Sequence, residues 1–162
     1  MCAIGSAFKE EMKLKAHAFA FLHHGDQHYG DHPYIVHLDA VAALVEAYGD
    51  AVVIAYLHDV VEDTGVTLAD VEVEFGKLVA DCVGILSDEP GVDRKERKSR
   101  TYAKMAGVSG ELELALVVKV ADRLANVRAC VADKNVRLLG VYRGEHEVFR
   151  RSVYREGLCD EL

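Results

Sequence analysis

Four side chains that can bind a metal or move a proton occur within six residues of the segment LHDVVEDTG. They follow an apolar run, AVVIAYL, and are His58, Asp59, Glu62 and Asp63. If a helix continues through the run, its four-residue repeat places Glu62 over His58 on one edge. The same repeat places Asp63 over Asp59. Carboxylates crowded on one edge repel one another unless a cation lies among them, so the segment indicates either a metal site or an exposed acidic helix end.

Two further segments carry side chains of the same kinds. In HPYIVH, His37 opens a predicted helix directly after a rigid Pro-Tyr loop. In VVKVADRLANVR, Asp122 and Asn126 share one face of a helix whose other face is apolar. An unpaired carboxylate beside an apolar stripe is costly, so we expect some group to compensate Asp122. These segments strengthen the case for a metal site, and the exposed helix end stays open at this point.

The motifs occur in a familiar order: HPYIVH, LHDVVEDTG, FG (75–76), DRKERK (93–98) and VKVADRLANVR. In this order and spacing they resemble the metal-dependent HD-domain phosphohydrolases of the alarmone hydrolase group. That group comprises the hydrolase half of the RelA/SpoT enzymes and small stand-alone hydrolases, some of them metazoan. The resemblance covers about residues 17–130, and it implies an all-α fold, the HD-domain helical bundle.

The resemblance also implies a ligand set, which consists of His37, His58, Asp59 and Asp122. Two imidazoles and two carboxylates without sulfur suit Mn²⁺, although iron, cobalt or zinc would also accept such a set. Glu62 and Asp63 match the Glu-Asp pair that orients or deprotonates the attacking water in the family.

Three residues are candidates for substrate binding. Asn126 matches a residue that contacts the nucleotide, and its alternative role is to cap a neighbouring helix turn. Lys98 belongs to a basic strip (93–104) that borders the active site in the family; otherwise the strip is a solvated helix face. Family members usually carry an Arg-Lys pair before the Pro-Tyr loop, and this chain has no Arg or Lys between Gln27 and Pro33. Tyr29, in that interval, could still stack on a base.

The implied reaction is removal of the 3′-diphosphate from guanosine tetra- or pentaphosphate, giving GDP or GTP and pyrophosphate. The chain is expected to degrade this alarmone and not to synthesise it. Two alternatives stay open. One is a phosphatase acting on another nucleotide, such as NADPH losing its 2′-phosphate, and the other is a non-catalytic domain that binds a nucleotide or a partner protein.

Helical periodicity dominates the elements that must position these residues. The predicted helices are 7–23, 38–48, 50–62, 67–86, 94–106, 110–131 and 144–155. Thr67 followed by Asp70 predicts a helix start. The resemblance fades after Cys130, and the remaining tail predicts an amphipathic helix that packs on the core.

Composition sets the outer limits. The chain has 162 residues, 51% of them hydrophobic and 28% charged, which suits one globular domain over 1–162. No apolar run is long enough to cross a membrane, and the N-terminus lacks the features of a signal peptide, so we expect a cytoplasmic protein.

A net charge of −8 argues against a nucleic-acid surface but not against a small nucleotide. Its four dispersed cysteines are expected to be reduced and mostly buried. Oligomeric state is not indicated.

Overall fold

The computed structural model describes residues 3–162, with side chains from residue 7 onward, and helices dominate it. A short antiparallel hairpin pairs β1 (His28–Tyr29) with β2 (His32–Pro33). Two 3₁₀ helices cover Glu46–Tyr48 and Gly110–Glu113. The predicted all-α class is confirmed. The α-helices are α1 (Ala3–His24), α2 (Ile35–Leu44), α3 (Ala51–Leu57), α4 (Val60–Asp63), α5 (Leu68–Phe75), α6 (Lys77–Leu86), α7 (Arg94–Ala106), α8 (Leu114–Ala132) and α9 (Val136–Val153).

Helix α3 lies at the centre of the core, because its sequence AVVIAYL is apolar on every side. Every residue of α3 is buried, and α1, α2, α6 and α8 pack around it. Because α3 is surrounded by other helices, packing fixes the position of the C-terminal end of α3. His58 and Asp59 directly follow that end.

Two predicted helices are each divided in the structure. The predicted helix 50–62 is interrupted at His58 and Asp59, whose backbone stays in the right-handed helical region. The Asp63 amide still donates to the Asp59 carbonyl at 2.9 Å, so the helix is distorted and not turned away. The prediction of one continuous helix over 67–86 was wrong. Gly76 has φ +87°, a conformation that favours glycine, and it separates α5 from α6.

Other predicted boundaries also move. Helix α2 begins at Ile35, before the predicted start at 38, and it ends at Leu44 ahead of a 3₁₀ turn. The predicted helix 110–131 begins with a 3₁₀ turn and becomes α-helical at Leu114. The last helix begins at Val136 instead of 144, where the Asn135 side chain accepts from the Leu138 amide at 3.1 Å. The helix runs through Gly140 and Gly144 although glycine has a low helix propensity.

The helix start predicted at Thr67 is confirmed, and it is a capping box. Thr67 Oγ1 accepts from the Asp70 amide at 3.2 Å, and Asp70 Oδ2 accepts from the Thr67 amide at 2.8 Å. This reciprocal pair satisfies two backbone donors at the start of α5.

The predicted C-terminal helix packs on α7 and α8 as α9, and Arg123 on α8 anchors it there. The Arg123 guanidinium lies 4.6 Å from the ring centre of Tyr142 and 4.4 Å from that of Phe149. It donates to Tyr102 Oη at 2.7 Å and to Glu145 Oε2 at 3.1 Å. A single cation therefore joins three helices.

The thiols of Cys82, Cys130 and Cys159 are free and buried, as expected. Cys2 lies outside the described residues. Among residues 3–162, no helix combines the length and the apolar character that crossing a membrane requires.

Candidate metal centre

The four predicted metal ligands converge at one point, although they come from separate parts of the chain. His37 lies near the start of α2, Asp122 lies within α8, and His58 and Asp59 lie between α3 and α4. Ligand atoms of His37, His58 and Asp59 all lie within 4.8 Å of one another. Asp122 Oδ1 lies 3.4 Å from His37 Nε2 and 3.8 Å from His58 Nε2. We call these four residues the ligand group.

Distances within the ligand group suit a single ion. Asp59 Oδ2 lies 2.9 Å from His58 Nε2 and 3.9 Å from His37 Nε2. Nitrogen and oxygen atoms bound about 2.1 Å from a common ion lie roughly 3.0 to 4.2 Å from one another. The measured distances fall close to this range.

His58 supplies the clearest evidence that a cation belongs at this point. Its Nδ1 lies 2.7 Å from the Ala55 carbonyl oxygen, which can only accept, so Nδ1 carries the proton. Its Nε2 is enclosed and has no hydrogen-bond partner within the described part of the chain. In a neutral ring, the Nε2 lone pair would face the Asp59 carboxylate and repel it. A divalent metal removes that repulsion, and the imidazole and carboxylate donors fit one.

Electrostatics lead to the same conclusion. Burial by itself lowers the pKa of His58, but the Asp59 and Asp122 carboxylates outweigh burial and hold that pKa well above its ordinary value. Burial by itself raises the pKa of Asp59, and the charged His58 ring reverses the effect, so that pKa is lowered. A proton held between these groups occupies the place of a cation, and a metal that binds there would release it.

Asp122 is oriented by two neighbours on α8. Lys119 Nζ donates to Asp122 Oδ2 at 3.1 Å, and Asn126 Nδ2 donates to Asp122 Oδ1 at 2.5 Å. Lys119 is itself buried; burial alone lowers its pKa, but Asp122 raises it above the ordinary value. Compensation of Asp122 was expected, and the structure shows that the group is Lys119, on the preceding turn of the same helix.

Glu62 and Asp63 lie at the solvent side of the ligand group. Glu62 accepts from the backbone amide of Asp88, in the segment between α6 and α7. Asp63 Oδ2 lies 3.2 Å from the Tyr34 hydroxyl, which also donates to Asp59 Oδ2 at 2.5 Å. Partial desolvation and then repulsion from Asp59 raise the pKa of Glu62 and of Asp63. A carboxylate of raised pKa is better able to take a proton from a nearby water.

A cavity of about 340 Å³ adjoins the ligand group and shares His37 with it. This volume is in the range of small-ligand sites, and the walls are mainly apolar. Arg128 and Asp133 bring charge to the lining, and its other residues include Tyr29, Val36, Ala40, Leu44, Ala125 and Ala129.

Tyr29 and Asn126, two of the predicted substrate-binding residues, are bonded to each other beside the ligand group. The Tyr29 hydroxyl donates to Asn126 Oδ1 at 2.6 Å. The Tyr29 ring stacks on His37, with ring centres 4.5 Å apart and planes within 13°. One face of Tyr29 is therefore covered by His37, and the residue also lines the cavity. Asn126 bonds to Asp122, so it supports the helix as well as facing Tyr29.

Lys98, the third predicted substrate-binding residue, is bonded to protein. Its Nζ donates to Asp88 Oδ1 at 2.7 Å, and Thr101 lies 3.3 Å from the same oxygen. Because the Asp88 amide donates to Glu62, Lys98 is linked to the ligand group's solvent side through Asp88. A direct contact between Lys98 and a substrate stays a prediction.

Residues 16–157 match the HD domain family. The chain belongs to the HD domain family. The match extends beyond residue 130, where the resemblance in the sequence fades, and so includes α9.

Curated relatives of this HD domain are much longer proteins. It is 30% identical over 142 residues to the guanosine-3′,5′-bis(diphosphate) 3′-pyrophosphohydrolase of Vibrio cholerae, covering 84% of the chain and 20% of that protein. It is equally similar, over the same shares, to the bifunctional (p)ppGpp synthase/hydrolase SpoT of Escherichia coli K12. The chain thus spans about a fifth of the length of these relatives. A solved metazoan ortholog of SpoT, described as hydrolysing ppGpp, has the same fold, with a TM-score of 0.72 and 24% identity over 93% of this chain and 92% of that one.

Two residues at the centre of this HD domain were missed as site residues by sequence reasoning. Tyr34 was interpreted only as part of a rigid loop, yet its hydroxyl contacts Asp59 and Asp63. Lys119 was not assigned any role. Its position three residues before Asp122 is the helical spacing of an ion pair, and this signal could have identified it.

Proposed function

We propose that this HD domain is a metal-dependent guanosine-3′,5′-bis(diphosphate) 3′-pyrophosphohydrolase. The observation that carries the proposal is the ligand group: imidazole and carboxylate atoms from separate parts of the chain meet around His58 Nε2, which has no hydrogen-bond partner among the described residues. The names of the relatives from V. cholerae and E. coli support the choice of substrate. In this proposal the chain acts on a small nucleotide.

His37, His58, Asp59 and Asp122 would hold the metal, and Mn²⁺ suits these donors because no sulfur is among them. When bound, a divalent ion lowers the pKa of a water molecule and polarises the phosphoryl group. Lys119 and Asn126 keep the Asp122 carboxylate directed at the two imidazoles.

Glu62 and Asp63 position the attacking water and accept its proton. The Asp88 amide fixes the Glu62 carboxylate, and Tyr34 contacts that of Asp63. The water oxygen forms a bond to the phosphorus attached to the ribose 3′-oxygen, and the bond between that phosphorus and the 3′-oxygen breaks. The 3′-oxygen takes up a proton. The products are GDP and pyrophosphate, or GTP and pyrophosphate from the pentaphosphate.

The nucleoside would occupy the cavity beside His37. Its apolar walls suit a base, and Tyr29 presents an aromatic ring there. Asn126, bonded to Tyr29, would contact the sugar or the 3′-phosphates. Lys98, which Asp88 holds on the Glu62 side, would stabilise the outgoing pyrophosphate with its positive charge.

One observation favours a second candidate, the removal of phosphate from another nucleotide such as NADPH. No Arg or Lys lies between Gln27 and Pro33, where relatives of this kind usually carry an Arg-Lys pair. The ligand group is unaffected by this difference, so the same metal chemistry would serve the other substrate. Competition by NADPH against guanosine tetraphosphate distinguishes the two candidates.

The test is product analysis with guanosine tetraphosphate, using metal-stripped protein with and without added Mn²⁺. We expect Mn²⁺-dependent release of GDP and pyrophosphate by the wild type and none by Asp59→Asn. Asp81→Asn is the matched control, because Asp81 forms only a surface pair with Lys77 at 2.9 Å, and it should retain full activity. No turnover of guanosine tetraphosphate, with Mn²⁺-dependent phosphate release from NADPH, would replace the first candidate by the second.

A further inference from the structure

Tyr34 connects two carboxylates that have different proposed tasks. Its hydroxyl lies 2.5 Å from Oδ2 of Asp59, a proposed metal ligand, and 3.2 Å from Oδ2 of Asp63, a proposed water-positioning acid. A tyrosine hydroxyl has one proton, which is therefore shared unequally between the two oxygens. Without this proton, the Asp59 and Asp63 carboxylates, which both contact the same hydroxyl, would repel each other. The shared proton keeps Asp63 beside Asp59.

The Tyr34 ring is held by a second set of contacts. It stacks on His24, with ring centres 4.4 Å apart and planes within 17°. His24 is buried, and its Nδ1 donates to Gln27 Oε1 at 2.8 Å. The Tyr34 backbone amide also donates to the Gln27 carbonyl at 3.0 Å.

Gln27 also contacts Asp63, at its backbone. Its Nε2 donates to the backbone carbonyl of Asp63 at 2.6 Å. The Asp63 residue is thus held at its side chain by Tyr34 and at its backbone by Gln27. We call His24, Gln27 and Tyr34 the Asp63 clamp.

We propose that Tyr34 is a positioning residue, which, as part of the Asp63 clamp, fixes the Asp63 carboxylate against the metal ligand Asp59. The proposal rests on the proposed function where kcat is measured. Where Mn²⁺ affinity is measured, it rests on the ligand group alone. It assigns a purpose to the buried His24, which lies outside the ligand group. The distance between Asp63 and the metal-bound side of Asp59 would then be set by the protein before substrate arrives.

Tyr34→Phe is the direct test, because it removes the hydroxyl and keeps the ring that stacks on His24. We expect kcat to fall about 10- to 100-fold with KM nearly unchanged, the usual effect of losing a group that orients a metal ligand. The Mn²⁺ dissociation constant, measured by electron paramagnetic resonance without substrate, should rise about 10-fold. Tyr56→Phe is the matched control, since the Tyr56 hydroxyl also donates to a carboxylate, Asp39, at 3.2 Å but lies outside the site. It should change neither quantity.

A double-mutant cycle decides whether Tyr34 acts through Asp63. In an Asp63→Asn background, Tyr34→Phe should lower kcat by less than about 2-fold, because its target is already lost. Gln27→Ala removes the contacts to the Asp63 backbone and to His24 but leaves the Tyr34 hydroxyl in the protein, so it should lower kcat and weaken Mn²⁺ binding less than Tyr34→Phe does. Thermal unfolding of each variant confirms that it is folded.

Three outcomes are distinguishable. Rate losses of Tyr34→Phe and Asp63→Asn that multiply fully would overturn the clamp while leaving the proposed function intact. So would a Tyr34→Phe variant whose Mn²⁺ affinity and kcat equal those of Tyr56→Phe. If the wild type binds Mn²⁺ but does not hydrolyse guanosine tetraphosphate, the proposed function fails. The link between Tyr34 and Asp59 is still supported in that case if Tyr34→Phe weakens Mn²⁺ binding and Tyr56→Phe does not.

Discussion

Replacing Lys119 by methionine should destabilise the metal-free protein by about 3 kcal/mol of unfolding free energy. Lys119 and Asp122 form the buried ion pair that supports the ligand group, and their side chains are only 10% and 11% exposed. Methionine fills a similar volume and removes the charge, so the substitution leaves Asp122 Oδ2 without a partner.

The magnitude follows from the geometry of this pair. Its charged atoms are 3.1 Å apart. Unit charges at that distance attract by roughly 5 kcal/mol when the effective dielectric constant is about 20, and lost hydration of the lysine offsets part of this. Removing one partner of a buried pair costs about 3 to 5 kcal/mol. We take the lower value because Asn126 still contacts the Asp122 carboxylate.

The assay is thermal unfolding in the presence of a chelator. For a chain of this size each kcal/mol shifts Tm by about 2 to 4 °C, so Lys119→Met should lower Tm by about 6 to 12 °C. Lys77→Met is the matched control, because Lys77 pairs with Asp81 at the same kind of distance but is 73% exposed, and its change should stay within about 0.5 kcal/mol. Saturating Mn²⁺ should reduce the deficit of Lys119→Met, since a metal held by the ligand group would also compensate Asp122. A Tm equal to that of Lys77→Met would refute the reasoning.

Three other predictions concern separate parts of the molecule. Mn²⁺ at about 100 times its dissociation constant should stabilise the wild type by about 2.7 kcal/mol, and Asp59→Asn should abolish this gain; calorimetry with and without the ion measures both, and an equal gain in the variant would remove Asp59 from the ligand group. Thr67→Ala should cost about 1 kcal/mol in urea unfolding through loss of the α5 cap, whereas an unchanged midpoint would show that the cap contributes nothing. Arg123→Met should speed amide hydrogen exchange in α9 before the rest of the chain, because Arg123 bonds to Glu145 on that helix; uniform acceleration across all helices would contradict this.

The helical class could be predicted from sequence because it depends on local patterns, whereas the resemblance to a known family, and not a local pattern, implied the four residues of the ligand group. The run before His58 is apolar on every side, and such a run can only be buried. The capping box at Thr67 is likewise a matter of residue types three positions apart.

Element boundaries were less accurate where a backbone conformation or distant packing outweighed the pattern. Gly76 adopts a positive φ and divides one predicted helix, although nothing in the apolar periodicity changes there. The start of α9 was predicted too late: the helix begins at Val136, and packing against α7 and α8 outweighs the low helix propensity of the glycines within it.

The sequence by itself determined which chemical groups are available: imidazoles and carboxylates at spacings that suit a metal, on an all-α chain. Only the tertiary structure decided how they meet. Residues as far apart as His37 and Asp122 become neighbours because α2, α3 and α8 pack on one another, and no local rule fixes that packing. The same holds for Tyr34. Its hydroxyl contacts Asp59 and Asp63, and no local sequence pattern predicts these contacts. Local residue types set the possible chemistry, and the long-range burial of apolar helices set its geometry.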